Sequence, residues 1–331
     1  MKSAFKTKDN GIVVKDYQLR ELNPDELRIK VEACGICGTD LHAGKTDKDI
    51  QFGHEIAGII MEKGSEVDNF EVGEKVVLDS ATPCGHCDNC RNTDQDLCCD
   101  IQSFFMIQSF GFAEEMLVPA ICAMRYEDLS PEVACLQEPL GVAIDVFKLA
   151  DISIDSNVLV IGAGPIGLMA AALVKRAGAH KMFVSDFKNR NSRYSLAEKI
   201  GIDGWHDPSE TPLAEFDFGC NIDRIIVTAP PVVLPSAFAV ATKGAIITFI
   251  GIGGKGRENI TFDADAFHFK KLQLRASFAS PALYGPIALK YLREGVIDGE
   301  SFISGKYSLE QMAEAMEAAN APDALKVVVM P

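Results

Sequence analysis

The 331-residue chain is 47% hydrophobic, and a length of this order calls for two cores rather than one. Its 47 acidic against 32 basic residues give a formal net charge of -15, a field that repels phosphate backbones and anionic lipid and so excludes nucleic acid and membrane surfaces as expected partners. The opening MKSAFKTKDNGIVVKDY lacks the apolar run of a signal peptide, and no stretch reaches the roughly 18 apolar residues of a membrane span, so a cytoplasmic location is expected.

Residues 1–140 alternate β-rich runs such as LRIKVEA and KVVLDS with Gly, Asp and Pro turns, which predicts a β-rich domain with inserted loops. Residues 141–278 read differently. GVAIDVFKLA has helical period, VLVIGAGPIGLMAAALVKRAG reads as strand, glycine turn and helix, and MFVSD, RYSLAEKIG, RIIVTAP, PSAFAVAT and AIITFIG continue the alternation. Such spacing predicts an α/β domain with a doubly wound parallel sheet covered by helices. Residues 279–331 then supply a short helix in ALKYLREG, an amphipathic helix over 309–320 with Met312 and Met316 facing the core, and a strand in KVVVMP. That strand resembles the first domain. A chain that returns to its first domain is expected to leave a cleft, where ligands tend to bind.

Seven of the ten cysteines fall in two clusters in the first third, a pattern that suits metal better than a disulfide framework. Cys84, Cys87, Cys90 and Cys98 stand as C-x2-C-x2-C-x7-C in a Gly, Asn and Asp-rich segment, residues 84–98. Four thiolates so spaced can close a tetrahedron around one zinc with no open position, which makes such a site structural. An iron–sulfur cluster has similar needs. Cys99 reads as a bystander and His86 as pointing to solvent.

Gly162, Gly164 and Gly167 form G-x-G-x-x-G after the apolar run 158–161, with Pro165 and Ile166 opening the helix. The first glycine permits the tight turn, the second lets backbone approach a pyrophosphate and the third lets helix pack on strand. The helix N-terminus then offers unpaired N–H groups to the phosphates. Asp186 ends the next apolar strand, where an acid can bond both ribose hydroxyls. That favours NAD, although Lys188, Arg190 and Arg193 leave a 2'-phosphate, and hence NADP, open.

Cys37, in CGICGTDLH, and His54, in GHE, offer a thiolate and an imidazole, the pair a catalytic zinc prefers. Spacing alone leaves open a buried cysteine and a core histidine. The order GICGTDLH, FGHE, four-cysteine loop, Glu138–Pro139 and VIGAGPIG resembles that of zinc-dependent medium-chain alcohol dehydrogenases, and most closely the sorbitol, threonine and glucose dehydrogenase branch. The resemblance spans essentially the whole chain. It implies a GroES-like catalytic domain with a Rossmann domain, and one catalytic and one structural zinc per chain.

By the same resemblance Cys37 and His54 are zinc ligands, and Glu55 ligates directly or in exchange with water. Glu138 falls where other branches carry a third cysteine, and binds directly or through water. Thr39 and His42 correspond to a hydroxyl and an imidazole of a proton relay, and Asp40 to a structural hydrogen-bonding residue. Cys34 and Cys135 are assigned to packing. The implied activity is hydride transfer from a secondary alcohol of a polyol or sugar to NAD, giving the ketone, by a homodimer or homotetramer. The alternatives are oxidation of an amino alcohol as in L-threonine 3-dehydrogenases, or a non-catalytic homologue that binds zinc and dinucleotide. Two departures bear on the substrate: a short segment between His42 and Gly53, and Asp145 where many relatives carry histidine. His180, His206 and His268 have no partner motif and read as ordinary surface or core residues, and Phe104, Phe105 and Phe110 as an apolar patch or subunit contact.

Overall fold

The computed structural model describes residues 1–9, 11–42, 48–254 and 256–331, with His42 described by its backbone alone. The chain divides into two compact units, Met1–Gly141 with Ala279–Pro331, and Val142–Phe278.

The first unit is built on a seven-stranded sheet. Its order is Ile303–Ser308, Lys326–Met330, Glu26–Gly35, Glu55–Lys63, Lys75–Leu78 and Ala123–Arg125, and Glu115–Pro119 also pairs with Glu26–Gly35. The long strand Glu26–Gly35 turns Leu27, Ile29 and Val31 into one core, as a period of two requires, and past Val31 it is Cys34 that joins this core while Ala33 packs in a second cluster with Ala57, Val77 and Val328. Irregularities between Arg28 and Ile29 and between Val31 and Ala33 let it curve. Leu27, Ile29, Ile56, Ile60, Leu78, Phe112, Met116 and Val329 share one core, against which Met312 of the helix Met312–Asn320 is fully buried and Met316 half-buried. The last strand pairs antiparallel with Glu26–Gly35, Val329 opposite Cys34. The C-terminal segment therefore completes the sheet that carries Cys37 and Glu55 just beyond or at its strand ends. A smaller antiparallel sheet joins Ile12–Asp16, Lys2–Lys6 and Ile50–Gln51.

The second unit holds six parallel strands in the order Gly204–His206, Lys181–Ser185, Asn157–Ile161, Ile222–Val227, Ala241–Phe249 and Gln273–Ala276. Numbered within the unit this is 3-2-1-4-5-6, the order of a Rossmann sheet. Leu159, Ile161, Ile225 and Val227 pack with Leu234, Ala237 and Phe238 of the helix Leu234–Val240, while the alternate residues Val158, Val160 and Ile226 are equally buried on the opposite face. Both faces are thus covered, which is why these strands read as continuous apolar runs. The short strand Gly204–His206 has only three residues, too few to show a period in the sequence. Gln273–Ala276 is the edge strand at the other end of the sheet from Gly204–His206, with Leu274 exposed. Among the described residues no helix is long and apolar enough to cross a membrane.

Candidate active site and metal centres

Cys37 precedes the short helix Gly38–His42, and its N–H donates to Asp40 Oδ2 at 2.9 Å while Asp40 N–H returns to Cys37 O at 3.0 Å. This reciprocal cap holds the turn that presents the thiol. Asp40 also lies 3.9 Å from His54 Nδ1 through Oδ1 and is buried, so the helix cap and the imidazole are tied to one carboxylate. The backbone carbonyl of Asp40 accepts from the Lys6 ammonium. Thr39 is exposed, and its hydroxyl favours the Cys37 thiolate against the larger opposing effect of burial. The side chain of His42, the other relay candidate, lies outside the described residues.

His54 follows Gly53, whose φ of 97° is a left-handed turn, and a Cβ at Gly53 would lie 2.5 Å from the Phe112 ring. Only glycine lets the chain turn against that ring and deliver His54 to the start of the strand Glu55–Lys63. Glu55 is fully buried; Oε1 accepts from Lys326 Nζ at 2.6 Å, and among the described residues Oε2 has no hydrogen-bond partner. Lys326 donates as well to Ile36 O at 3.1 Å. Burial opposes its charge, but Glu55 and then Cys37 outweigh this and hold Lys326 above the ordinary lysine range. Gly35 completes the pocket: a Cβ there would stand 2.1 Å from Glu55 Oε2, so the carboxylate occupies space that any other residue would fill.

One donor atom each from Cys37, His54 and Glu55 can be chosen so that all lie within 4.8 Å of one another. Glu138, second residue of the helix Gln137–Leu149 and half-buried, does not join that cluster but feels the charges of His54, Glu55, Cys37 and Lys326. Burial first, then the anions Glu55 and Cys37, push its carboxyl up to about 8. Burial and the neighbouring Glu55 likewise raise the Cys37 thiol. Two carboxylates and a thiolate therefore crowd a site in which Lys326 offsets a single charge. With an imidazole beside them and one buried carboxylate oxygen unpartnered, the donor set fits a zinc ion. Cys34 and Cys135 are buried next to it without joining the donor cluster. Phe105 lies 5.8 Å from the His54 ring, stacks on Phe104 at 5.2 Å and meets Phe110 edge-on at 5.2 Å. Phe105 is 44% exposed, so its ring forms an apolar wall beside His54.

Cys84, Cys87, Cys90 and Cys98 also converge. Their sulfurs stand 3.6 Å (Cys84 to Cys98), 3.9 Å (Cys87 to Cys98) and 4.0 Å (Cys84 to Cys90) apart. A tetrahedral zinc with Zn–S near 2.3 Å requires S···S edges of about 3.8 Å. Backbone N–H groups of Cys87 and His86 point at Cys84 Sγ, and that of Cys84 at Cys98 Sγ. Backbone N–H groups of Cys90 and Cys99 draw the Cys87 thiol down to about 6, toward the thiolate a metal needs. Thr82 and Gln102 exchange backbone bonds of 2.7 and 2.9 Å and close the loop at its base. Cys99 is exposed and outside the tetrahedron. His86 is exposed yet engaged, with Nδ1 3.0 Å from Cys84 O and Nε2 3.1 Å from Asp100 Oδ2.

In the second unit Gly162 has a φ of 104°, and a Cβ there would strike Thr228 Oγ1 at 2.7 Å. A Cβ on Gly167 would lie 1.9 Å from Gly162 O, whereas Gly164 faces open space at the N-cap of the helix Pro165–Ala177, with Ile166 in its first turn. The three glycines thus separate into a turn, an open approach and a close packing contact. Asp186 Oδ2 accepts from Ala163 N–H at 2.9 Å, which brings its carboxylate to the glycine turn. Oδ1 accepts from Phe187 N–H at 2.8 Å and from Arg190 at 2.7 Å, and Arg193 lies 3.6 Å from Oδ2. Both arginines are therefore engaged with the acid. His206 is buried, with Nε2 donating to Thr211 O at 2.8 Å and Nδ1 accepting from Ser185 at 2.8 Å, a core histidine under the Asp186 strand. His180 and His268 are exposed. Ser277 donates to Asp145.

The sequence reading missed Lys326, Gly35 and Asp79, whose contacts arise only when distant segments meet. A lysine opening the apolar run KVVVM was the one available hint.

Residues 23–128 match the family described as the alcohol dehydrogenase GroES-like domain. The chain is 31% identical to a sorbitol dehydrogenase of Bacillus subtilis strain 168, covering 100% of this chain and 97% of that one. It is 28% identical to an L-threonine 3-dehydrogenase of Alteromonas mediterranea over 99% of each chain. A crystal structure named as a short chain alcohol dehydrogenase from E. coli CFT073, complexed with NADH, superposes with a TM-score of 0.90 at 27% identity, covering 100% of this chain and 99% of that one. Likeness at that level along the full length means that the chain belongs to the zinc-type medium-chain alcohol dehydrogenase family.

Proposed function

We propose that the protein is a zinc-dependent oxidoreductase that moves a hydride from a secondary carbinol of a polyol or sugar to NAD, giving the ketone. The observation that carries this reading is the donor cluster of Cys37, His54 and Glu55 with the Glu138 carboxylate beside it. When bound, zinc supplies a Lewis acid that lowers the pKa of an alcohol hydroxyl, and the nicotinamide supplies the hydride acceptor. Cys37, His54, Glu55 and Glu138 would hold the metal. Lys326 fixes Glu55 by one oxygen and leaves the other free. The helix behind Gly164 offers its N–H groups to the pyrophosphate, and Asp186 accepts from the ribose hydroxyls. Thr39 and His42 would carry the hydroxyl proton to water, and the Phe105 wall keeps water from the His54 side. Likeness to the sorbitol dehydrogenase supports the polyol class, and Asp186, already engaged by Arg190 and Arg193, supports NAD over NADP. The domains are taken as 1–140 with 279–331 for catalysis and 141–278 for the dinucleotide. The protein is taken as cytoplasmic, and a homodimer or homotetramer accords with the exposed edge strand Gln273–Ala276.

A second reading, oxidation of an amino alcohol, is favoured by the threonine dehydrogenase likeness. One panel separates the two: polyols, sugars, inositols and threonine, each with NAD and NADP, followed by absorbance of the reduced nicotinamide beside a zinc count. About two zincs per chain and turnover on a polyol are expected. Turnover on threonine alone would replace the substrate class, and fewer than one zinc, or unchanged turnover in Cys37→Ala, would overturn the catalytic assignment.

A further inference from the structure

Asp79 follows the strand Lys75–Leu78 and is 7% exposed, and its Oδ1 accepts from Gln137 Nε2 at 2.8 Å. Gln137 is itself buried and opens the helix whose second residue is Glu138. Leu78 pairs with Ile56, which places Asp79 at the end of the sheet where Glu55 begins the neighbouring strand. On its other side Asp79 is anchored: its N–H donates to Cys122 O at 2.9 Å, Ser103 Oγ donates to Ser80 O at 2.6 Å, and Thr82 closes the base of the four-cysteine loop. The amide of Gln137 is confined too, since a Cβ on Gly285 would lie 2.9 Å from its Nε2 and 2.2 Å from Met124 Cε.

The first N–H groups of a helix have no partners within it, so its first turn frays unless something outside holds it. Two apolar side chains would fill the same space without the desolvation cost of a buried carboxylate and amide. A hydrogen bond adds direction, and this one ends on the residue adjoining Glu138. We propose that Asp79 and Gln137 are a positioning pair, which fixes the first turn of the helix so that the Glu138 carboxylate is held beside the cluster of Cys37, His54 and Glu55. The pair rests on the zinc reading above. It also ties the base of the four-cysteine loop to the catalytic donor set.

The test uses the full chain loaded with zinc, as wild type, Gln137→Met, Asp79→Asn and Cys37→Ala. Zinc release to a metallochromic chelator, the visible spectrum after exchange with cobalt(II), and kcat and KM for substrate and for NAD are measured. Gln137→Met keeps the size but not the donor, and is expected to keep the four-cysteine zinc while holding the other about 10 to 100-fold more weakly, as loss of an outer-shell partner does. Its cobalt bands shift, kcat falls, and KM for NAD stays. Asp79→Asn keeps an acceptor oxygen and matches wild type in zinc release, cobalt bands and kinetics. Wild-type zinc release and cobalt bands in Gln137→Met overturn the proposal, as does Asp79→Asn being as impaired as Gln137→Met. Should Gln137→Met not fold, Asp79→Leu breaks the bond from its other end and is read by the same criteria. Failure of the underlying zinc reading looks different: Cys37→Ala would then retain both zincs.

Discussion

Asp79→Asn should make the protein more stable, and by an amount that depends on pH. Burial raises the Asp79 carboxyl from its ordinary 3.8 to about 6, against a smaller opposing effect of the Gln137 hydrogen bond. The unfolded chain ionises Asp79 near 3.8 while the folded chain keeps the proton to about 6, so between these values the folded state binds more protons. Stability therefore falls as pH rises through that window, and the loss is complete above about 6, where it amounts to about 3 kcal/mol. Asparagine carries no charge and pays no such penalty, while its oxygen still accepts from Gln137. The same linkage leaves about half of that penalty at pH 5, so the advantage of Asp79→Asn should grow by about 1 to 2 kcal/mol between pH 5 and pH 8. Urea unfolding of both proteins at the two pH values and fixed zinc measures this, since effects of pH on other groups and on zinc cancel in the difference of differences. An equal advantage at both pH values, or a wild type more stable at pH 8, would refute the argument.

Lys326→Met leaves the buried Glu55 carboxylate without its cation and should destabilise the first unit by about 3 to 5 kcal/mol, seen as a lowered melting temperature; a change under about 1 kcal/mol would mean that the ion pair does not hold the strand. Gly35→Ala puts a methyl 2.1 Å from Glu55 Oε2 and should cost about 1 to 3 kcal/mol together with a loss of zinc from the Cys37 site, whereas unaltered zinc binding would show that Glu55 has room to retreat. Asp186→Ala is expected to raise KM for NAD at least about 10-fold and to leave NADP much less affected, because it removes a ribose acceptor and frees Arg190 and Arg193. Equal losses for both cofactors would mean that the acid does not read the ribose.

The features legible in the sequence are those whose chemistry is local. Gly162, Gly164 and Gly167 fall within six residues, and the four-cysteine loop within fifteen, so spacing along the chain nearly dictates spacing in space. The parallel sheet was legible for a related reason: strands buried on both faces are written as uninterrupted apolar runs, each followed by a helix of readable period. Cys37, His54 and Glu138 lie on three separate segments, and it was family resemblance rather than spacing that joined them.

Tertiary structure alone decided the surroundings of that donor set. Lys326 and Glu55 are 271 residues apart, and their pairing exists because the last strand docks antiparallel beside Glu26–Gly35. Gly35 is one of 27 glycines until Glu55 stands where its Cβ would be. Asp79 and Gln137, 58 residues apart, read as an ordinary acid and amide until both are buried against each other. Local order in the chain determines which residue types can make a turn, a strand or a metal loop. Desolvation and hydrogen bonding between segments distant in sequence determine which charges are paired and how a buried carboxylate such as Glu55 is held.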